Sequence, residues 1–212
     1  MKKVFDYEVY GEKKEIKEYI LLSTSPRWKE LLNFLNPKVL PVEIDERKIE
    51  KKYLEKYKSD DFLERAAKTC CEISKAKADI EMKTGVLYIS ADSIIISENK
   101  IFNKPENYAE AKKMLQSYFG KKHFAVTSVC LSMIDYREVF YTIAEVEFVD
   151  YYDTLDEAIN DYIQKYRPLD KAGGYSIKEI DPRFVKSING DINTILGLPV
   201  AEISTRLFNN GN

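Results

Sequence analysis

Short apolar runs alternate with amphipathic stretches from Glu18 onward. EYILLST (18–24) predicts a buried strand that stops at Ser25-Pro26 and turns into a helix, with Trp28, Leu31, Leu32 and Leu35 in one apolar stripe. VLPVEI (39–44) predicts a second strand, closed by Asp45-Glu46. Between Arg47 and Met82 the chain is rich in Lys, Glu, Ala and Leu and has no Gly or Pro, which predicts two helices, the first with a solvated charged face. VLYISADSIII (86–96) is a central strand. A Pro-started helix follows, with Tyr108, Ala111, Leu115 and Tyr118 on one face and Gly120 as its stop. HFAVTSVCLSMI and EVFYTIAEVEFV predict a hairpin turning at Asp135-Tyr136-Arg137. Thr154 and Glu157 form a capping box for a helix with Leu155, Ala158, Tyr162 and Tyr166 inside, and the rest reads as loops and short strands before a last helix from about Val200. The mixture is α/β, without repeats or linkers: a charged lead, 1–16, and one domain, 17–212.

Composition narrows the function. With 33 Lys and Arg against 35 Asp and Glu the net charge is -2, so no global field draws nucleic acid and any anion site must be local. No apolar run is long enough to span a membrane and the N-terminus lacks the apolar stretch of a signal peptide, so the cytoplasm is the default. Three cysteines, two of them adjacent (Cys70, Cys71), make no disulfide or metal pattern and read as core. His123, the sole histidine, reads as a hydrogen-bonded structural residue.

Three constellations could carry chemistry. In STSPR, Ser23, Ser25 and Arg27 precede or open a helix whose free N–H groups would suit a phosphate; the plainer reading is that Ser25 is an N-cap with Pro26 at the first helical position. Glu46 and Asp92 are strand-end carboxylates of the kind that hold Mg²⁺ and activate water, and Asp92-Ser93 interrupts an apolar strand unless it marks that strand's solvated end. Lys75, Lys104 and Lys171 are each ordinary surface residues alone, but together with the carboxylates they suit a polyphosphate, and Gly173-Gly174 would let backbone approach a ligand.

These motifs occur in one order: LLSTSPRWKELL, IDE, SKA, ADSIIISENKIFNKP, GKKHFAVTSV, PLDKAGGYSIKEI and INGDINTILGLP. The series resembles the Maf family of nucleoside triphosphate pyrophosphatases, from about Tyr19 to Leu207. The resemblance implies a twisted mixed sheet flanked by helices around a central cleft, similar to the inosine triphosphatase fold. It also implies a cytosolic homodimeric house-cleaning enzyme, dependent on Mg²⁺ (or Mn²⁺ or Co²⁺), that cuts the α-β bond of a nucleoside triphosphate. Asp92 would be the general base or metal-linked carboxylate, Glu46 the metal-associated acid, Ser93 a neighbour of the base, and Ser23, Lys75 and Lys104 phosphate-side residues. Two departures stand out. SPRR is here Ser25-Pro26-Arg27-Trp28, and YGIQG is here YSIKE with Lys178 and Glu179. Arg27 and Ser93 resemble the pyrimidine-type subfamily. A Lys178 that only donates hydrogen bonds would favour the carbonyls of uracil and thymine. Trp28 favours a rival, an impaired nucleotide-binding relative that acts through partners in cell-division control; a general phosphatase would release orthophosphate instead.

Overall fold

The computed structural model describes residues 3–209. Its strands are β1 (Val4–Gly11), β2 (Glu18–Leu21), β3 (Lys38–Val39), β4 (Val86–Ser97), β5 (Lys100–Phe102), β6 (Lys122–Met133), β7 (Tyr136–Phe148) and β8 (Val185–Asn189). Its α-helices are α1 (Pro26–Leu31), α2 (Glu46–Lys56), α3 (Phe62–Lys77), α4 (Tyr108–Tyr118), α5 (Leu155–Tyr166), α6 (Ile192–Ile195) and α7 (Val200–Phe208). The expected α/β class holds: the strands form an open mixed sheet in the order β1-β7-β6-β4-β2-β3, with β5 beside β4 and β8 beside β7. β2 runs parallel to both β3 and β4, while β1 is antiparallel to β7. The charged lead thus supplies an edge strand. Its last residue, Gly11, sits at φ +70° where a Cβ would lie 1.8 Å from the Asp135 carbonyl oxygen, so only glycine closes this pairing.

Three expectations need correction. The strand predicted over 39–44 shrinks to Lys38–Val39, because Pro41 has no N–H to donate and the run lies at the sheet edge. Thr154 caps nothing with its side chain, since the N–H groups of Leu155 and Asp156 bond the carbonyls of Tyr152 and Asp153. The helix after Pro105 starts at Tyr108, where Asn107 Oδ1 accepts from Glu110 N at 2.9 Å.

The chain forms two compact units, one built from residues up to Asp92, Thr127–Thr142 and Gly197 onward, the other from Ser93–Val126 and Ile143–Leu196. The first has a core of Leu21, Leu32, Leu87, Ile89, Leu131 and Phe140, among others. Its α3 sits on the sheet through hydroxyl bonds: Ser128 Oγ donates to the Cys70 carbonyl at 2.8 Å, and Ser90 Oγ to that of Ser74 at 2.6 Å. The second unit packs aromatic rings, with Tyr118, Phe148 and Tyr175 around buried His123 and Phe184 against Phe119 and Phe148. Here the Cβ side of Gly173 and Gly174 faces the core. A Cβ on Gly173 would stand 2.7 Å from Ile95, and one on Gly174 would face Ala111 and Met114. Among the described residues no helix is long and apolar enough to cross a membrane.

Candidate active site

β4 is buried along nearly its whole length, and Asp92 lies in it with 7% of its surface exposed. A carboxylate so placed needs partners. Lys77, at the end of α3, is one: its Nζ lies 2.9 Å from Asp92 Oδ1, 2.9 Å from Glu46 Oε1 and 3.1 Å from the Ala91 carbonyl oxygen. Three acceptors match the three hydrogens of the ammonium. Burial works against this charge, but Asp92 and Glu46 outweigh it and hold the ammonium above its ordinary value. Cys70 is the second partner, its fully buried Sγ lying 3.3 Å from Asp92 Oδ2 and 3.3 Å from the Asp92 carbonyl oxygen. Burial first, and the charge of Asp92 next, push the Cys70 thiol well up, so it stays protonated and able to donate.

Helix geometry selects these two residues. Cys70 and Lys77 are seven positions apart and so within about 20° of each other around α3, whereas Lys75 is turned roughly 140° from Cys70. Lys75 accordingly faces elsewhere, with Nζ 2.6 Å from Glu8 Oε2 in β1 and 3.4 Å from Glu72 Oε1. Of the two lysines in SKAKA, the sequence pointed to Lys75; the one on the Asp92 face is Lys77. Its signal was the heptad spacing from Cys70 along the buried stripe of Ala66, Cys70, Ile73 and Ser74.

Glu46 reaches Lys77 from the first turn of α2, which Asp45 caps by accepting from Lys48 N at 2.9 Å, and its side chain is 49% exposed. Glu46 and Asp92 therefore converge on one cationic point, but not from two strand ends as expected: Glu46 opens α2 and Asp92 lies in the middle of β4. Among the described residues no group of three or more His, Cys, Asp and Glu side chains could hold a metal. Two carboxylates without a third protein ligand are the donor set of a Mg²⁺ ion that completes its shell with water and substrate phosphates, so the pair fits such an ion.

The parallel register Leu21↔Ile89, extended by the bond from Leu22 N to the Ile89 carbonyl at 2.8 Å, carries the Ser23–Ser25 turn alongside Ala91 and Asp92. There Ser23 Oγ accepts from Ser25 N at 3.0 Å and Ser25 Oγ caps α1 at Trp28 N, 3.4 Å away, so the N-cap reading of Ser25 holds. Arg27 is half-buried and its Nε is enclosed without a hydrogen-bond partner. Trp28 turns inward, packed in the cluster with Leu21, Leu32 and Leu35.

The other predicted residues belong to the second unit. Ser93 follows Asp92 in β4; Lys104 is exposed between β5 and α4; Lys171 pairs with Asp170 at 2.8 Å; Lys178 is exposed. His123 is buried with Nε2 2.7 Å from the Tyr175 hydroxyl, and burial drives its pKa down to about 3.

The profile of one protein family, described as Maf-like protein, matches residues 18–209. The chain belongs to that family. It is 32% identical over 197 residues to the dTTP/UTP pyrophosphatase of Thermotoga maritima, covering 91% of this chain and 89% of that protein. It is 35% identical over 199 residues to the dTTP/UTP pyrophosphatase of Bacillus cereus, covering 94% and 93%. In this Maf-like chain the motif residues Ser23, Glu46 and Asp92 fall within the matched stretch, and β1 with Glu8 lies before it.

Proposed function

We propose that this chain is a nucleoside triphosphate pyrophosphatase that cuts the α-β phosphoanhydride of dTTP and UTP, releasing the nucleoside monophosphate and pyrophosphate. The observation that carries the reading is the convergence of Asp92 and Glu46 on a single cationic point, Asp92 standing inside a buried strand. The names of the relatives point to the same substrates. Glu46 and Asp92 are the residues to hold a divalent cation, Mg²⁺ first and Mn²⁺ or Co²⁺ in its place, which would neutralise phosphate oxygens and acidify water. Asp92 takes the proton of the attacking water, Lys77 and Glu46 keep its carboxylate in place, and Arg27 with the Ser23–Ser25 turn offers charge and donors to phosphate. Ser93 beside the base, Lys104 and Lys171 toward phosphate oxygens, and Lys178 toward the pyrimidine carbonyls are the further assignments of this reading, as are a homodimer and a cytoplasmic location, while Lys75, paired with Glu8 and Glu72, drops out of it. The rival, a binding protein without turnover, drew its support from Trp28. That residue fills the core, so its replacement of an arginine reflects packing.

The test is a panel of UTP, dTTP, CTP, ATP and GTP with Mg²⁺, with pyrophosphate and orthophosphate read separately. Pyrophosphate from UTP and dTTP is expected, with CTP and ATP tenfold or more slower by kcat/KM, the scale of about 1–3 kcal/mol for one mispaired polar group. Asp92→Asn should lose roughly a hundredfold or more in kcat while keeping the fold. Orthophosphate as the product, or an Asp92→Asn variant with wild-type turnover, would overturn the reading.

A further inference from the structure

Asp92 has two carboxylate oxygens and each has its own protein donor. Lys77 holds Oδ1 at 2.9 Å, and Cys70 lies 3.3 Å from Oδ2. We propose that Cys70 is a positioning residue of the active site: its thiol donates to Asp92 Oδ2 and, with Lys77 on the other oxygen, stops the carboxylate from rotating. The proposal rests on the pyrophosphatase reading, in which Asp92 is the base.

The thiol has two acceptors at the same distance, the carboxylate and the Asp92 carbonyl oxygen, and only one hydrogen to give. An anionic oxygen is the stronger acceptor, so the hydrogen goes to Oδ2. The sulfur cannot drift away from it, because Ser128 Oγ donates to the carbonyl of Cys70 itself at 2.8 Å and fixes that turn of α3 against β6. The sulfur is also fully buried, out of reach of bulk solvent. A thiol is a weak donor, which suits a group whose task is to aim the carboxylate while leaving lone pairs open for water. Cys70 also stands one heptad before Lys77, so a single face of one helix supplies both constraints.

Three variants of the full chain separate donation from packing. Cys70→Val keeps an apolar side chain, one carbon larger than cysteine's, without a donor, Cys70→Ala removes donor and volume, and Cys70→Ser keeps a donor. With UTP and Mg²⁺, the Val and Ala variants should lose about tenfold in kcat at unchanged KM, the usual scale for an outer-shell partner, while the Ser variant stays close to wild type. Wild-type kcat in Cys70→Val, or a Ser variant as slow as the Val variant, would overturn the proposal. Should the Ala variant fail to fold, the Val and Ser pair decides. An infrared measurement needs no turnover: the S–H stretch that disappears in Cys70→Ala should move to higher frequency in Asp92→Asn, whose neutral amide is a weaker acceptor. A band that does not move refutes the bond even if wild type releases no pyrophosphate, an outcome that by itself would sink only the enzymatic reading.

Discussion

Lys77 joins two carboxylates and a main-chain carbonyl while keeping only 12% of its side chain in contact with solvent. Removing one member of such a buried pair leaves the other charge without compensation. Lys77→Met is therefore expected to lower stability by about 3 kcal/mol in urea unfolding, the low end of the usual range because Glu46 can turn to water. Adding Asp92→Leu should recover most of that loss, and a double variant no better than the single one would contradict the pairing. The lysine titrates above its ordinary value, so its contribution is complete below about pH 10 and drains only as the pH rises through the raised folded value. A measurement at neutral pH thus captures all of it. Asp92 was legible in the sequence, because a carboxylate within ISADSIII has no packing reason to be there. Lys77 was not, because three lysines lie on α3 and only the helical phase relative to β4 singles one out. Cys70 read as core and is buried, but its neighbour decides its role, and that neighbour is 22 residues away.

Among the elements, those with their own periodicity were readable: α3, α5, the hairpin of β6 and β7, and the start of α7 at Val200. β1 was not, since VFDYEVYG becomes a strand only by pairing with β7, more than 120 residues on. The start of β6 yields a prediction of its own. His123 is buried and neutral, with a pKa near 3, while in the unfolded chain it titrates near 6.5. Between those values the unfolded chain carries the extra proton, so His123 favours folding above about pH 6.5 and this support falls as the pH drops, by roughly 1.4 kcal/mol per unit. Thermal unfolding of His123→Phe should fall less steeply between pH 6.5 and 4 than that of wild type, though the variant starts lower for want of the Tyr175 bond; parallel curves would exclude the effect. In the segment between α5 and β8, Gly173 sits at φ +72° against Ile95 and Tyr118. Gly173→Ala is expected to cost about 1–3 kcal/mol by overpacking plus backbone strain, and a variant as stable as wild type would show that the segment can yield.

At the scale of the molecule, β1 and α7 meet in the first unit. Arg206 of α7 bonds Asp6 of β1 at 2.7 Å, pairs with Glu138 of β7 and Glu202, and lies 4.1 Å over the ring of Phe140. Lys13 donates to the carbonyls of Arg206 and Leu207 at 2.6 and 2.9 Å, closing the end of α7 where its dipole favours a cation. This seam sets a timetable for synthesis. β1 is made well before the segments that hold it: its sheet partner β7 follows more than 120 residues later and Arg206 comes 200 positions after Asp6, so during synthesis the strand waits first for β7 and then for α7. A chain stopped before Arg206 can pair β1 with β7 but lacks the clamp that holds the strand there. Ribosome-released chains ending at Leu198 should therefore aggregate where the full-length chain does not, and Tyr10→Lys, at an exposed position of β1, should relieve it.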